Sequence, residues 1–470
     1  MSKILLINPY SPSYYDLGEH HIPLSMLYLG AYLKKFGHEV VFVDFNCFQV
    51  NCIIRREKFL LDDHYREKLA PVLSSFKPDV VGATIHFSGR FRPTIEICQR
   101  IKATHPDLPI VIGGLHPTLH PQNILKEYKI FDFILQGESE DTLLQLVESL
   151  AKKDSAYATI DGIGFRKDDG EVVVRPKASF IEKVDDLPFP DYGLVNVKDY
   201  YFDTTKWYNP KQSPINLSMF LISGRSCPRK CTFCCMWKAH GPSARLRSAK
   251  NVVDEIEHLY YKYDQRYFSF VDDNFTINKQ RTIDICGEII RRGLDIQFDT
   301  PNGVELMSLN EEVIDSLVKT GLIRTNLPVE SGSPMMRKSM RKALPQEKIY
   351  EVFNIVKKYP RLRYNAFFII GFPNETKETL EETYQMIKEL ELKQAIISFA
   401  TPFAGTTLFE ECVKNNLINP KDIHNQENFY FGNKDPFIKP YNLEKQDLVD
   451  FRQKIYSELN MSNYLVKQIA

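Results

Sequence analysis

Residues 225–237 read RSCPRKCTFCCMW, with Cys227, Cys231 and Cys234 in the order CxxxCxxC. Three thiolates within eight residues can wrap one short loop around a cubic iron–sulfur cluster, because cysteine thiolate is the usual iron ligand there. A [4Fe-4S] cube has four irons, so three cysteines leave one iron without a protein ligand. An open coordination position lets a metal bind and activate a substrate rather than only hold a fold together. A structural zinc site asks for four Cys/His ligands in two pairs, and no second pair follows; zinc would need His240 as its fourth ligand. A disulfide reading is poor, since cysteines this close rarely pair usefully and no secretory signal is present.

Outward from the loop, the chain alternates strand and helix patterns. LSMFLISG places a strand directly ahead of the cysteines. NVVDEIEHLYYKYD is a helix, YFSFVDDNF a strand, TIDICGEIIRRG a helix, DIQFDTPNG a strand, EEVIDSLVKTG a helix and TNLPVES a strand. QEKIYEVFNIVKKYP is a helix, YNAFFIIGFP a strand, TLEETYQMIKELE a helix and QAIISFATPF a sixth strand. Six strands alternating with helices over residues 216–415 predict a parallel, curved sheet with right-handed crossovers. Its chemistry belongs at the C-terminal strand ends. Those ends are polar where a core strand would not be: Asp272, Asp273 and Asn274, then Thr300 and Asn302, then Glu330, Ser331 and Gly332. Ile370-Gly371-Phe372-Pro373 closes the fifth strand, with Glu375 and Thr376 beyond it, and Thr401 the sixth. Singly, each polar residue suits a helix N-cap; five such ends on one rim point to a shared ligand site. Arg225, Arg245 and Arg247 flank the loop and are placed to pair with a carboxylate or with solvent.

Residues 1–150 alternate in the same way. KILLINP, HEVVFVDF, PDVVGATIHF, DLPIVIGGLHP and FDFILQGE are strands, and PLSMLYLGAYLKKFG, RPTIEICQRIKATHP and DTLLQLVESLAKK are helices, the first ending at Gly37. Continuous Val/Ile runs joined by helices predict an α/β, doubly wound parallel sheet covered on both faces. Such sheets bind ligands beyond their C-terminal strand ends, which here carry Asn8-Pro9-Tyr10, Thr84-Ile85-His86, Gly113-Gly114-Leu115-His116 and Gly137-Glu138. Gly113 and Gly114 would let the backbone approach a large flat ligand closely. No GxGxxG follows the first strand, which argues against a nicotinamide cofactor.

The cysteine loop resembles the hallmark of the radical S-adenosylmethionine (SAM) family, CxxxCxΦC with Φ aromatic; here Φ is Phe233. The resemblance implies that Cys227, Cys231 and Cys234 hold a [4Fe-4S] cluster and that Phe233 lies against the adenine of SAM. It further implies that Asp272 or Asp273 meets the SAM amino group, that Thr300, Asn302, Glu330 and Ser331 lie along SAM, and that Ile370 and Gly371 lie near adenine. The family's partial six-strand (β/α) barrel fits residues 216–415. Cys235 lies outside the motif and reads as a buried loop residue. The stretch 1–150, through PLSMLYLGAYLKKFGHEV, PDVVGATI, GGLHPT and QGESEDT, resembles the cobalamin-binding domain that precedes many radical SAM enzymes. That implies a corrinoid near Asn8, Pro9, Thr84, Gly113, Gly114, His116, Gly137 and Glu138. Cobalamin domains that ligate cobalt through histidine carry DxHxxG after the first strand. DLGEHH at 16–21 departs from it, so no histidine–cobalt bond is expected from that loop; His116 can approach the lower face or simply cap its loop, and His86, His20 and His21 are weaker candidates.

Residues 151–215 are expected to join the two domains, through a hairpin turning at Asp168-Asp169-Gly170 and an extended run past Pro188 and Pro190, with Asp185, Asp186 and Asp191 solvated or capping. Residues 200–216, polar and aromatic, either shape a substrate entrance or pack as a loop. Residues 416–470 form a C-terminal extension with an aromatic stretch, NQENFYFGNKDPFIKPYN, and an amphipathic helix through Leu448, Phe451, Ile455 and Leu459, expected to pack on the barrel because it lacks a basic face.

The chain's 470 residues exceed one ordinary core, so two or three domains are expected. Its 60 basic and 60 acidic residues cancel, which argues against nucleic acid as the main partner. MSKILLINPY reads as a buried strand and not a signal peptide, and no run of 18 apolar residues exists. Nine cysteines with three clustered suit a reducing cytoplasm. The resemblance implies an enzyme that methylates an unactivated carbon of a small-molecule or natural-product substrate. It would use the cluster, SAM and cobalamin, and an external electron donor such as flavodoxin or ferredoxin. The rivals are a cyclase or rearrangement enzyme with the same cofactors, and a cobalamin- or redox-responsive binding protein without turnover.

Overall fold

The structure is a computed structural model and describes residues 1–11, 21–201, 208–213, 215, 217–419, 435–459 and 461. The chain divides into two compact units, Met1–Tyr201 with Lys238–Gly241, and Phe202–Trp237 with Pro242–Ala470. Most of the DLGEHH loop, including His20, lies outside the described residues, as do parts of the 200–216 and 425–442 stretches.

The first unit is built on seven strands: β1 (Lys3–Asn8), β2 (Glu39–Asp44), β3 (Val80–Thr84), β4 (Ile110–Gly113), β5 (Phe133–Leu135), β6 (Ile163–Arg166) and β7 (Val172–Val174), in the order β2-β1-β3-β4-β5-β6-β7. The first five are parallel. Both faces are covered, as the unbroken apolar runs predict. Ile4 and Leu6 pack with Leu33 and Leu146 of the helices Leu24–Lys35 and Glu140–Lys152. Leu5 and Ile7 point the other way, onto Ile97 and Ile101 of the helix Phe91–Thr104. The strand order reverses between β1 and β3, so the ligand crevice of this sheet type opens there. The β6–β7 hairpin, which the sequence assigns to a connector, pairs antiparallel with β5 and completes this sheet. The physical reason is that β5 has three residues and would otherwise expose an unpaired edge. Residues 45–76 carry helices that no periodicity announced; the first, Phe45–Ile54, is capped by Asp44, whose carboxylate accepts from the amides of Asn46 and Cys47 at 2.9 and 3.1 Å.

The second unit contains β8 (Met219–Leu221), a two-stranded ribbon of β9 (Gly224–Arg225) and β10 (Arg245–Leu246), then β11 (Tyr267–Phe270), β12 (Gln297–Thr300), β13 (Leu322–Glu330), β14 (Arg363–Ile370) and β15 (Ala395–Phe399). Six of these form one parallel sheet in the order β15-β14-β13-β12-β11-β8. Helices Ala249–Tyr263, Lys279–Arg291, Glu311–Thr320, Gln346–Val356 and Lys377–Glu389 cross between successive strands. The tail helix Lys445–Glu458 covers the free edge of β15: the Ile397 amide donates to the Tyr456 hydroxyl at 3.2 Å. Residues 208–213 pack at the N-terminal side of the strands. Lys211 Nζ donates to Asp295 Oδ1 at 2.6 Å, and the Tyr208 hydroxyl to the Arg361 carbonyl at 2.6 Å. The described part of that stretch therefore lies away from the polar rim and forms no substrate entrance. Among the described residues, no helix is long and apolar enough to cross a membrane.

Candidate functional site

In the second unit β8 delivers the chain into the cysteine loop. Ser226, just before Cys227, holds a left-handed φ of 69°, strained for a residue with a side chain. The loop is tied at its middle: the Thr232 amide donates to the Met340 carbonyl and the Leu408 amide to the Thr232 carbonyl, each at 3.0 Å. Phe233 meets Phe372 edge-on, ring centroids 5.9 Å apart. All nine cysteines are free, and only Cys227, Cys231 and Cys234 are not fully buried. Burial raises all three thiols, Cys234 to about 12; a cation bound among them would reverse that by replacing the proton. Cys235 is fully buried and likewise raised to about 12 by burial, as a loop-core residue would be. Among the described residues no group of three His, Cys, Asp or Glu is gathered closely enough to share a single metal ion. A cube spreads its thiolates over separate irons.

The loop base is braced by a buried ion pair. Arg247 Nη1 lies 2.5 Å from Glu255 Oε2 and donates to the Ile222 carbonyl at 2.8 Å. Arg247 is thus a structural partner of a carboxylate, while Arg225 and Arg245 face each other across β9 and β10. Asp272 is consumed by the same base: its carboxylate accepts from the Ser223 amide at 3.1 Å and hydroxyl at 2.7 Å. Burial raises its pKa. That leaves Asp273, half-buried, as the acid at the end of β11.

Other rim residues sort in the same way. Thr300 is 1% exposed and shares a 2.6 Å hydrogen bond with Thr325, so its side chain is turned into the sheet rather than to the rim. Asn302 is exposed, its amide donating to the Val271 carbonyl at 2.8 Å. Glu330 sits at φ 71° and pairs with Lys342 at 2.9 Å. Burial opposes the charge on Lys342, but Glu330 holds its ammonium above the ordinary value. Ser331 lies 3.2 Å from the Thr383 hydroxyl. The Ile370 side chain is core, so only its backbone reaches the rim. Gly371, at φ 90°, donates its amide to Glu375 at 3.1 Å. Sequence reasoning missed Lys342 and Glu305. Glu305 accepts from Arg229 at 2.5 Å and from Asn274 at 3.1 Å, while the Asn274 amide also points at the Cys227 sulfur, 3.7 Å away. Nothing in the local pattern marks either residue, because each meets the loop only through folding.

The rim of the first unit holds its expected residues less evenly. The Asn8 amide donates to Asp44 at 2.8 Å and its carbonyl accepts from Arg90 at 2.7 Å, and Asp44 also accepts from the Tyr200 hydroxyl at 2.6 Å. Asn8 and Thr84 are both buried, so they brace the strand ends rather than line them. Gly114, at φ 105°, has no room for a side chain: a Cβ would lie 2.7 Å from the Ile85 carbonyl oxygen. Gly137, at φ 65°, is equally confined. Both positions require glycine for their positive φ and for the backbone packed against them, the Ile85 carbonyl at Gly114 and the Ala239 carbonyl at Gly137. Thr118 joins those loops, donating to the Gly114 carbonyl at 2.7 Å and accepting from the Gly137 amide at 2.9 Å. His116 is buried, 3.1 Å from Ser88 and packed on Phe91, which is the loop-capping role. His86 and Phe87 are exposed and Gly113 and Glu138 half-buried, whereas Pro9 is buried. An open apolar ring and bare backbone at the switch point suit a large flat ligand.

The radical SAM superfamily pattern matches residues 221–387, and the B12 binding domain matches residues 16–147. An uncharacterized methyltransferase of Pyrococcus horikoshii is 30% identical over 418 residues, covering 88% of this chain and 84% of the relative. The anaerobic magnesium-protoporphyrin IX monomethyl ester cyclase of Rubrivivax gelatinosus is 29% identical over 454 residues, covering 95% and 75%. The structure of the radical SAM methyltransferase TsrM from Kitasatospora setae, with cobalamin and a [4Fe-4S] cluster bound, superposes with a TM-score of 0.69 at 18% identity. It covers 88% of this chain and 75% of that one, a likeness of fold.

Proposed function

Because this chain belongs to the radical SAM enzymes that carry a B12-binding domain, we propose that it transfers a methyl group to an unactivated carbon of a small organic substrate. The observation that carries this reading is the trio of accessible thiols on one pinned loop at the C-terminal end of a six-stranded parallel sheet. When bound, the cluster and SAM supply a hydrogen-abstracting radical, and cobalamin supplies the methyl group. Cys227, Cys231 and Cys234 hold the cluster. The Asn274 amide, aimed at the Cys227 sulfur, stabilises that thiolate. Asp273 takes the SAM amino group in place of Asp272. Lys342, ion-paired with Glu330, offers a cation to the SAM carboxylate. Phe233, Phe372 and the Gly371 backbone form the adenine face. The accessible strand ends of the first unit hold the corrinoid, and an external donor such as flavodoxin or ferredoxin supplies electrons.

The test is anaerobic reconstitution with iron, sulfide and hydroxocobalamin, followed by SAM and reductant. Formation of 5′-deoxyadenosine that is lost in Cys231→Ala, with cobalamin kept after desalting, is the expected result. A protein that keeps cobalamin but never cleaves SAM would be a binding protein instead. Oxidative cyclisation is the second reading, favoured by a cyclase relative that spans 95% of this chain. Absence of labelled methyl in the product would select it.

A further inference from the structure

We infer that the substrate presents an uncharged, apolar body, a hydrocarbon or aromatic ring system, to a chamber inside the curved sheet of the second unit. The inference rests on the enzymatic reading above. Side chains alternate across a strand, so alternate burial separates the two faces of the six-stranded sheet. The face toward the helices is filled: Phe268, Phe270, Phe298, Leu327 and Phe368 are all at most 1% exposed.

The opposite, inner face divides in two. Its half toward the N-terminal strand ends is closed by a polar belt. Ser218 and Ser269 share a 2.6 Å hydrogen bond, Ser269 bonds to Asp299, and Arg324 Nε donates to Asp299 at 3.0 Å. Its half toward the C-terminal ends is only half-buried, and it carries no charge and is mainly apolar. Ile222 lines it just beyond β8, Phe367 and Ile369 from β14, and Ile396 from β15, with Ser398 and the mutually hydrogen-bonded Asn326 and Asn365 (3.0 Å) as neutral polar exceptions, while Phe220 stands beside Ser269 at the belt. Strand register sets these side by side: Pro328 beside Phe367, Phe367 beside Ile396, Ile369 beside Ser398. Among the described sheet residues, no charged side chain stands on this face between the belt and the rim acids Asp273 and Glu330.

Three features identify the occupant. The polar belt closes the floor, so entry is from the rim where the cysteine loop stands. Ile369 packs in the same apolar cluster as Phe233 and Phe372, so the chamber is continuous with the loop. A charged group placed on this wall would lose hydration without gaining a partner, whereas a hydrocarbon face gains by burial. Polar groups of the substrate are left at the open rim.

The test measures equilibrium binding of N-phenyl-1-naphthylamine, a neutral apolar fluorophore, to the full-length reconstituted protein. Phe367→Asn should weaken it fivefold or more. Phe367→Leu should stay within twofold of the parent, as should Ile290→Asn on an exposed helix face. Ile396→Ser replaces Phe367→Asn should that variant not fold. Affinity unchanged in both Phe367→Asn and Ile396→Ser would overturn the chamber. 5′-Deoxyadenosine formation by the same samples separates the two ideas. SAM cleavage without a chamber effect sinks only this inference; absence of cleavage by a cluster-loaded parent sinks the enzymatic reading.

Discussion

Gly332 follows Glu330 and Ser331 at the end of β13, and its place is decided by a helix. A Cβ built there would lie 2.5 Å from both the Glu382 carbonyl oxygen and the Thr383 Cα. Ordinary contact begins near 3.4 Å, so Gly332→Ala must push the helix Lys377–Glu389 back by about 0.9 Å (3.4 minus 2.5). The obstacle is helix backbone, so no side chain can swing away. The displacement also stretches the 3.0 Å bond from the Gly332 amide to the Thr383 hydroxyl and the 3.2 Å contact of Ser331 with it. Overpacking of this kind costs about 1–3 kcal/mol. At about 2–4 °C per kcal/mol, a 2 kcal/mol loss lowers the thermal midpoint by about 4–8 °C. Gly287 is the matched control. It is exposed in the helix Lys279–Arg291 and a Cβ there meets nothing within 4 Å. Gly287→Ala should therefore stabilise by about 0.5–1 kcal/mol through helix propensity. Scanning calorimetry of both variants reads the same substitution with opposite signs. A Gly332→Ala protein as stable as its parent would refute the close approach of β13 and this helix.

Further outcomes follow from particular groups. Cys231→Ala should abolish the cluster's visible absorbance and iron content, whereas Cys235→Ala should keep both, since Cys235 is buried beside the loop. Arg247→Met leaves Glu255 buried and alone, an expected loss of about 3–5 kcal/mol, with Glu255→Gln in the double variant recovering part of it in urea titration. Burial lifts the Glu375 carboxyl to about 7, against hydrogen bonds from Thr379 and the Gly371 amide that lower it. An acid raised in the folded state favours folding below its unfolded pKa, and that contribution fades as pH rises through about 7. Glu375→Gln should thus gain stability relative to the parent between pH 5 and pH 8, by up to about 3 kcal/mol; a pH-independent difference would remove the buried carboxyl from the account. Thr118→Val severs the hydroxyl bridge between Gly114 and Gly137. It should cost about 1–2 kcal/mol and reduce the cobalamin retained after gel filtration.

By itself the sequence determined what short spacing controls. CxxxCxxC puts three thiols on one loop whatever surrounds it, and the alternation of Val/Ile runs with 3.6-residue periodicity dictates parallel sheets with helices between the strands. The positions of the strand ends, hence the rim, came with that alternation. What each rim residue does was decided only by tertiary structure. Asp272 and Asp273 are adjacent and chemically identical, yet the first is buried on Ser223 and the second is half-buried at the rim. Thr300 is turned to Thr325, His116 to Ser88, and Gly114 packs against the Ile85 carbonyl. Lys342 reaches Glu330, and Arg247 reaches Glu255, through no pattern that a strand or helix would announce. The helices of residues 45–76 escaped notice for a related reason: their apolar faces are set by the sheet they cover, not by a clean period. Local geometry is written in neighbouring residues, but the partner that satisfies a buried polar group comes from wherever the fold brings one within about 3 Å.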